Sequence, residues 1–523
     1  MCGNSSGGAP ILSIQPTPRL IRIDKAARAI SAALVRAGPC TAYCCGRQGD
    51  HRATGTARHE ERAPGTAERE EPVLRVETDV AGQGAPIAAE QLPSMAYRGF
   101  VLLMLLLVLA TSMMDRQILY ILVEPIRKEF ALNDTQLGLL TGIAFAITYV
   151  LVSVPVARLS DRSSRKNIIA IAVTFWSLMT ALSGFAQNFV QLFLARIGVG
   201  VGEAGASAPS QALISDMFPL RQRGTAMSIY LLGAPIGAGV GLAFGGWALD
   251  QYGWRWALIL VGLPGLVLGP LVFLTIRNVG KGLADGIRRT IPQPDIGITL
   301  RTLTRIRTLP FLMAGAGIQT LLATGLSGWI PAFLQRSHGM DSTTIGGMLG
   351  VALGTGSILG HLMGGPVSDY LGRRDIRWHL WLAAIVVGVS CIFSLVAFTG
   401  PVEIFFVAIG LQILVSGLFA APFLTILTSL PPVWARATTA ACAFFVINLI
   451  GMGIGPSWVG WMSDMLRPHH GEESLRVAML LALLMAIPAA LMFYLASRYY
   501  KDDYEAAGTR LKEEVAPAAG GEG

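Results

Sequence analysis

The sequence predicts an all-α membrane protein with twelve transmembrane helices in two bundles of six. Composition is the first reason: 52% of the 523 residues are hydrophobic and only 14% are charged, whereas soluble domains carry about 25% charged residues. Second, the mean hydropathy is +0.54, and apolar stretches long enough to cross a bilayer recur from Met95 onward. Third, sequence patterns repeat between the two halves of the chain. The net charge of +8 sits in particular loops, so it indicates membrane topology rather than nucleic-acid binding.

Twelve apolar segments are the predicted spans, numbered here in chain order. They are 99–124, 135–158, 167–186, 189–213, 224–249, 255–276, 310–335, 344–368, 378–399, 403–429, 436–462 and 475–497. The predicted organisation is an N-terminal six-helix bundle (95–276), a cytoplasmic linker (277–308), a C-terminal six-helix bundle (309–500) and a disordered tail (501–523). The end of the linker alternates apolar residues with arginine at helical spacing, which predicts a basic amphipathic helix on the membrane surface.

Residues 1–94 differ from the rest of the chain. They are polar, nearly balanced in charge and without an apolar run or a signal peptide, so we expect a disordered extension, or a true start at Met95. The cysteines at 40, 44 and 45 fit no zinc-ligand spacing well, so we expect no metal site.

The orientation follows from the basic residues in the loops. Loops after even-numbered spans, with the linker, carry seventeen Lys or Arg residues, and those after odd-numbered spans carry six. Because cytoplasmic loops are enriched in Lys and Arg, both termini are expected in the cytoplasm, with the protein in the inner membrane.

The first span carries two adjacent charges, Asp115 and Arg116, well inside an otherwise apolar helix. A charge at the centre of a membrane helix costs about 2.5–3.5 kcal/mol on insertion scales, so such residues face protein or a water-filled cavity. They are therefore candidates for a proton or substrate site. The alternative is a structural ion pair that joins this helix to a neighbour.

The loops after the second and eighth spans repeat a charged pattern. The first reads ARLSDRSSRKNII (157–169) and the second GPVSDYLGRRDIR (365–377). The residues of interest in the two copies are Asp161, Arg162, Arg165 and Lys166, and then Asp369, Arg373 and Arg374. A carboxylate that pairs with these cations and with a helix N-terminus would form a charge latch that holds one side shut. The alternative is that the arginines only fix topology.

These repeats resemble the major facilitator superfamily, whose loop signature is G-x-L-x-D-R-x-G-R-R/K. Ala157 and Ser164 replace its glycines in the first copy, whereas Gly365 and Gly372 keep both in the second. The resemblance covers residues from about 95 to 500. It implies two six-helix bundles built from inverted repeats, a substrate site between them near the midplane, and transport by rocking of one bundle against the other.

The fourth span reads LFLARIGVGVGEAGASAPS (192–210), with Arg196 and Glu203 two helical turns apart on one face. It contains G-x-G-x-x-G, but a dinucleotide site needs a preceding strand and a soluble βαβ unit. Because this motif lies inside an apolar helix, we do not expect a dinucleotide site. Together with Asp115 and Arg116, this span resembles the Spinster-like group. That resemblance implies a protonation switch at Asp115, with Arg116 and Glu203 as its partners, and it identifies Arg196 as the family's fourth-helix arginine.

Glycine and proline mark the fifth and eleventh spans. The fifth span holds Gly233, Pro235 and Gly237, which resemble the antiporter signature, and the eleventh holds Gly455 and Pro456. Their plain meaning is close helix packing and a bend.

The leading hypothesis is a proton-coupled secondary transporter of an amphipathic lipid-like molecule, such as a lysophospholipid or sphingolipid. The alternative within the superfamily is an importer of small organic anions such as sugar acids, and a non-transporting receptor or scaffold is a third hypothesis. An enzyme is not expected, since no nucleophile–base constellation is visible. The expected partners are the substrate, protons and the bilayer, with no nucleic acid, no cofactor beyond the proton gradient, and a monomeric state.

Overall fold

The computed structural model describes residues 92–279, 283, 296–432 and 435–515, and every regular element within these ranges is helical. Nearly all of the predicted N-terminal extension, 1–94, lies outside the described residues, as do its cysteines. The all-α prediction is confirmed for the part of the chain that the structure describes.

The N-terminal half contains the first six spans. The first is Met95–Phe130, the second joins Asp134–Gly138, the π-helical Leu139–Ile143 and Ala144–Arg162, the third is Arg165–Ser183, the fourth joins Phe189–Glu203 and Ser207–Met217, and the fifth and sixth occupy Leu220–Leu231 and Gly233–Thr275. The fifth span turns into the sixth at Gly253, whose φ of 81° favours glycine.

The C-terminal half repeats this arrangement. After the linker helix Ile296–Arg305, the seventh span joins Thr308–Ser327 and Ile330–His338, the eighth is Ser342–Gly372, the ninth is Trp378–Thr399 and the tenth joins Val402–Gly417 and Ala420–Ser429. The eleventh joins Arg436–Val446, the π-helical Ile447–Ile454 and Gly455–His470, and the twelfth joins Ser474–Ala482, the 3₁₀ turn Leu483–Met485 and Ala486–Val515.

Ten helical stretches in the described residues are long and apolar enough to cross a membrane. Two of them are long enough for two spans each, namely Arg221–Thr275 with 55 residues and Thr438–Arg510 with 73. The helices thus accommodate twelve spans at the predicted places. Side-chain caps set several of the starts: Asn133, Asn188 and Asp341 each accept a hydrogen bond from the backbone N–H three residues later.

The linker and tail contact each other through the start of the seventh span. Asp503 accepts hydrogen bonds from the backbone N–H and the hydroxyl group of Thr308, at 2.8 and 2.7 Å. The twelfth span continues as a helix to Val515, so the prediction of disorder for 501–523 is wrong for residues 501–515. The carboxylate that caps Thr308 gives this extension a structural role, which its polar composition did not reveal.

The two ends of the spans are distinguished here by the linker. The linker side carries the start of the first span, the linker and the loop between the second and third spans, and the opposite side carries the loops after odd-numbered spans. The second span packs against the eleventh and the fifth against the eighth, so these four helices form most of the contact between the halves, to which the first and seventh spans add a smaller contact.

Candidate functional site

A cluster of four ionisable side chains, three of them buried and Arg116 slightly exposed, lies where the first span meets the third and fourth. Its members, called here the central cluster, are Asp115, Arg116, Arg196 and Glu203. All four are residues that the sequence singled out, and the structure brings them together. Asp115, Arg196 and Glu203 are each at most 2% exposed.

Glu203 joins the fourth span to the first. Its Oε2 accepts hydrogen bonds from Arg116 Nε and from the Ser112 hydroxyl group, both at 2.7 Å. Its other oxygen, Oε1, is buried without a hydrogen-bond partner among the described protein atoms. Arg116 therefore pairs with Glu203 rather than with the neighbouring Asp115.

Asp115 is held by a single hydrogen bond, which its Oδ2 accepts from the Thr180 hydroxyl group in the third span at 3.1 Å. Its Oδ1 is buried and has no partner among the described atoms. An uncompensated carboxylate oxygen in a low-dielectric interior is costly, and binding a proton relieves that cost.

Arg196 lies within electrostatic range of both Asp115 and Glu203. Its Nε and Nη1 are nevertheless buried without a hydrogen-bond partner among the described atoms. Two carboxylates and two guanidinium groups thus balance in formal charge, so neutralising one carboxylate leaves a net positive charge. Such an imbalance favours a change of geometry or the arrival of an anion.

Close helix packing sets these positions. A Cβ at Gly202 would lie 2.7 Å from the Cβ of Trp176, so only glycine lets the fourth span approach the third here. Glu203, the next residue along, is thereby brought to the first span.

Arg116 also contacts the C-terminal half. Its guanidinium lies 4.3 Å from the ring centroid of Phe145 in the second span, and its Nη1 lies 3.8 Å from the Met452 sulfur. Met452 belongs to the π-helical part of the eleventh span, and the π-helical part of the second span packs beside it: a Cβ at Gly142 would lie 2.5 Å from the Gly453 carbonyl oxygen. The central cluster thus contacts the boundary between the halves.

A second group of polar side chains joins the halves on the opposite side. Arg336, at the end of the seventh span, donates to Glu124 of the first span at 2.7 Å. It also donates two hydrogen bonds to Asp134 of the second span, at 2.9 and 2.8 Å. Asp134 accepts a further bond from Ser463 of the eleventh span at 2.7 Å. Arg336 and both carboxylates are largely buried, so the network is shielded from water.

Two helix starts on this side are capped from the other half. Asp464 accepts from the backbone N–H groups of Asp134 and Thr135 and from the Thr135 hydroxyl group. Asp250 accepts from the backbone N–H and the hydroxyl group of Thr343, both at 2.7 Å. We call these two contacts the reciprocal caps.

The residues of the predicted latch lie on the linker side, and those whose side chains are described do not join the halves in this conformation. The side chain of Asp161 is outside the described set. Arg165 pairs with Asp216 and Lys166 donates to the Phe273 carbonyl, so both bond within the N-terminal half. In the second copy, Arg374 bonds to Tyr370. Three latch residues are exposed and have no ion pair within the described part of the chain: Arg162, Asp369 and Arg373.

The glycines and prolines of the fifth and eleventh spans lie at close helix contacts. A Cβ at Gly233 would lie 2.5 Å from the Leu106 carbonyl oxygen, and one at Gly237 would overlap that of Ala110, so the fifth span rests on the backbone of the first. The Pro235 carbonyl faces Gly354 of the eighth span. Gly455 lies against the seventh span, and the Pro456 carbonyl accepts a hydrogen bond from the Trp329 indole at 2.9 Å.

Sequence reasoning missed the opposite-side residues, although a signal was present. Gly-Trp-x-x-Asp occurs at 246–250 and again at 460–464, and both aspartates are reciprocal caps. The equivalent starts, Asn133-Asp134-Thr135 and Asp341-Ser342-Thr343, align in the same way. Arg336 is one of the six Lys or Arg residues in the loops after odd-numbered spans, which indicated only topology.

The sequence profile described as Major Facilitator Superfamily matches residues 105–456. A crystal structure of a bacterial homologue of the human lysosomal transporter Spinster, in an inward-facing and unoccupied conformation, is 26% identical with a TM-score of 0.70. The alignment covers 79% of this chain and 99% of that one.

Three relatives are named as transporters of different kinds. An MFS-type efflux pump of Mycolicibacterium smegmatis is 31% identical over 76% of this chain and 92% of its own. A sphingosine-1-phosphate transporter, SPNS2, of Danio rerio is 26% identical over 77% of this chain and 85% of its own. A probable L-galactonate transporter of Escherichia coli is 28% identical over 52% of this chain and 61% of its own.

Proposed function

Because the chain belongs to the major facilitator superfamily and to its Spinster-like group, we propose that it is a proton-coupled transporter of an amphipathic lipid-like molecule that works by alternating access. The observation that carries this proposal is the central cluster, in which charged groups are buried within the N-terminal half and Arg116 reaches the boundary between the halves. Intramembrane ionisable residues that face a bundle interior mark proton and substrate pathways.

The proton site in this proposal is Asp115. It has one hydrogen bond and one buried oxygen without a described partner. A proton there removes one negative charge and leaves Arg116 and Arg196 opposite Glu203 alone. An anionic substrate group then restores the balance, which links proton occupancy to substrate binding.

The conformational cycle follows from the distribution of bonds between the halves. Among the described side chains, every hydrogen bond and ion pair between the halves lies near the middle or on the opposite side. In the proposal the linker side is cytoplasmic, this conformation faces inward, and both termini lie in the cytoplasm of a cell whose inner membrane holds a monomer. Asp161, Asp369 and the neighbouring basic residues then close the linker side when the opposite side opens.

The substrate class rests on two arguments. SPNS2 of Danio rerio is named as a sphingosine-1-phosphate transporter. The charges of the central cluster all come from the N-terminal half, whereas Met452 faces them from the C-terminal half. A charged head near Arg116 and an apolar tail toward the other half would suit this asymmetry.

The second candidate is a small organic anion such as a sugar acid. The two guanidinium groups of the central cluster suit a carboxylate, since Arg196 has two buried N–H groups without described partners. A relative in Escherichia coli is named as a probable L-galactonate transporter.

Proteoliposomes with an imposed pH gradient test both candidates. Internal pH is followed while a lysophospholipid, and then a sugar acid, is offered to the wild type, to Asp115→Asn and to Asp502→Asn, an exposed control. We expect the lipid to drive proton movement in the wild type and in Asp502→Asn, and we expect Asp115→Asn to abolish it. Proton movement with the sugar acid alone would favour the small organic anion over the lipid as the substrate. Full proton-driven activity in Asp115→Asn would overturn the role of Asp115.

A further inference from the structure

A cavity of about 290 Å³ opens on the linker side, between the start of the third span and the end of the sixth. Its lining contains four basic residues, Arg162, Arg165, Lys166 and Arg277, and three neutral polar ones, Ser163, Ser164 and Asn278. Leu213 and Val279 complete the described lining, and none of the described lining residues is acidic.

Most of this positive charge is not neutralised by a described side chain. Arg165 pairs with Asp216. Lys166 instead donates to the Phe273 carbonyl oxygen at 3.1 Å, and neither it nor Arg162 nor Arg277 has an ion pair within the described ranges. Three cations around one small cavity attract an anion strongly.

The backbone adds to this field. The third span is a 19-residue helix that begins at Arg165, and no side chain caps its start. Ser164, at the cap position, donates instead to Asn278 at 2.5 Å. The positive end of the helix dipole therefore points toward the basic cavity.

Exposed apolar side chains lie next to the polar lining of the cavity. Leu159 is one helical turn before Ser163, and Phe273 lies under the Lys166 ammonium, 5.2 Å from the ring centroid. Leu159, Phe273 and Leu274 are 53%, 49% and 77% exposed, as expected of residues that face acyl chains. The Arg277 guanidinium lies 5.6 Å from the Tyr97 ring centroid, near the start of the first span.

We propose that this basic cavity binds the phosphate group of an anionic phospholipid headgroup, with the acyl chains along Leu159, Phe273 and Leu274. Guanidinium groups match phosphate oxygens in pairs, and basic pockets between helices at a membrane surface suit such headgroups. This site is separate from the central cluster and does not depend on what the protein transports.

Native mass spectrometry of the full chain tests the proposal. Protein in neutral detergent is mixed with phosphatidylglycerol, with phosphatidylcholine or with inorganic phosphate. Three variants are compared with the wild type: the double variant Lys166→Gln with Arg277→Gln, Arg498→Gln, and Arg116→Gln. Arg498 is the matched control, because it is exposed on the linker side. It lies 5.4 Å from the Tyr494 ring centroid, much as Arg277 lies 5.6 Å from that of Tyr97.

The wild type is expected to retain phosphatidylglycerol at least tenfold better than phosphatidylcholine. The double variant should lose most of that preference while Arg498→Gln and Arg116→Gln keep it. Saturable binding of inorganic phosphate that competes with the lipid and is lost in the double variant would identify the phosphate group itself as the ligand, with a free anion as its source. Equal retention in all variants, or loss only in Arg116→Gln, would overturn the proposal.

Discussion

Asp464 in the eleventh span accepts hydrogen bonds from the backbone N–H and the hydroxyl group of Thr135 in the second span, at 2.7 and 2.6 Å. The equivalent pair in the repeat, Asp250 and Thr343, is bonded in the same way but with the halves exchanged. Each half therefore supplies the carboxylate that caps a helix of the other. Separation of the halves on this side would remove these two carboxylates from Thr135 and Thr343, while Asn133 and Asp341 would still cap the same helices from within each half.

Asp464→Ala is expected to weaken the closure of the opposite side. Loss of a helix cap costs about 1 kcal/mol, and here that cost falls on the contact between the halves. Spin labels at the exposed positions Lys128 and Arg467, in a variant without the six native cysteines, report the separation. We expect a second, longer distance to appear.

Asp341→Ala is the matched control for this measurement, because Asp341 caps its own helix through Thr344 within one half. It should lower stability by a similar amount and leave the distance unchanged. A longer distance in both variants would mean that general destabilisation, and not the reciprocal cap, controls the closure.

Arg336→Gln is expected to have a larger effect than either cap variant. It leaves Glu124 and Asp134 buried without their shared cation, and removing one partner of a buried ion pair costs about 3–5 kcal/mol. The melting temperature should fall and the longer label distance should dominate. Arg476→Gln removes an exposed pair with Glu473 and a hydrogen bond to the Phe398 carbonyl oxygen, both within one half, so it should leave the label distance unchanged.

Glu203→Gln is expected to reduce pH-driven transport at least tenfold. The substitution keeps the size of the side chain but removes the charge that Arg116 pairs with. Ser112→Ala removes only the second hydrogen bond to the same oxygen, so its loss should be smaller. Initial rates in proteoliposomes separate the two, and equal rates for both variants would assign Glu203 a packing role.

Gly237→Ala is expected to destabilise the N-terminal half by about 1–3 kcal/mol, the usual cost of overpacking. The added methyl group would overlap the backbone of Ala110 in the first span. Gly224→Ala serves as control, since a Cβ there has no neighbour within 4 Å. Thermal unfolding in detergent should show a lower transition only for Gly237→Ala.

Much of the fold was predictable because a membrane span is a local property of the sequence. The apolar runs, the linker helix and the repeated loops all occupy their predicted positions. The members of the central cluster were also predictable, since Asp115, Arg116, Arg196 and Glu203 are charges within apolar helices. Their pairing was not, because the resemblance implied Arg116 and Glu203 as partners of Asp115, whereas the structure pairs Arg116 with Glu203 and bonds Asp115 to Thr180 of the third span.

The closure of the opposite side could not be predicted from local patterns. Arg336 and Asp134 are 202 residues apart in the chain and lie at helix ends, where charged residues are common. Only the repeated Gly-Trp-x-x-Asp indicated that Asp250 and Asp464 have equivalent positions. The tail was misjudged for a related reason, because Asp503 acts on the distant Thr308.

The π-helical turns of the second and eleventh spans bear on how this closure is released. A π-helical turn holds about one residue more than an α-helical turn, and one residue corresponds to about 100° of rotation. Converting either turn to α-helix would rotate the rest of that span about its helix axis by about 100°. Asp464 would then face away from Thr135, and the Met452 sulfur away from Arg116. The closure of the opposite side and the contact between Arg116 and Met452 therefore both depend on whether these two helices keep their π-helical turns.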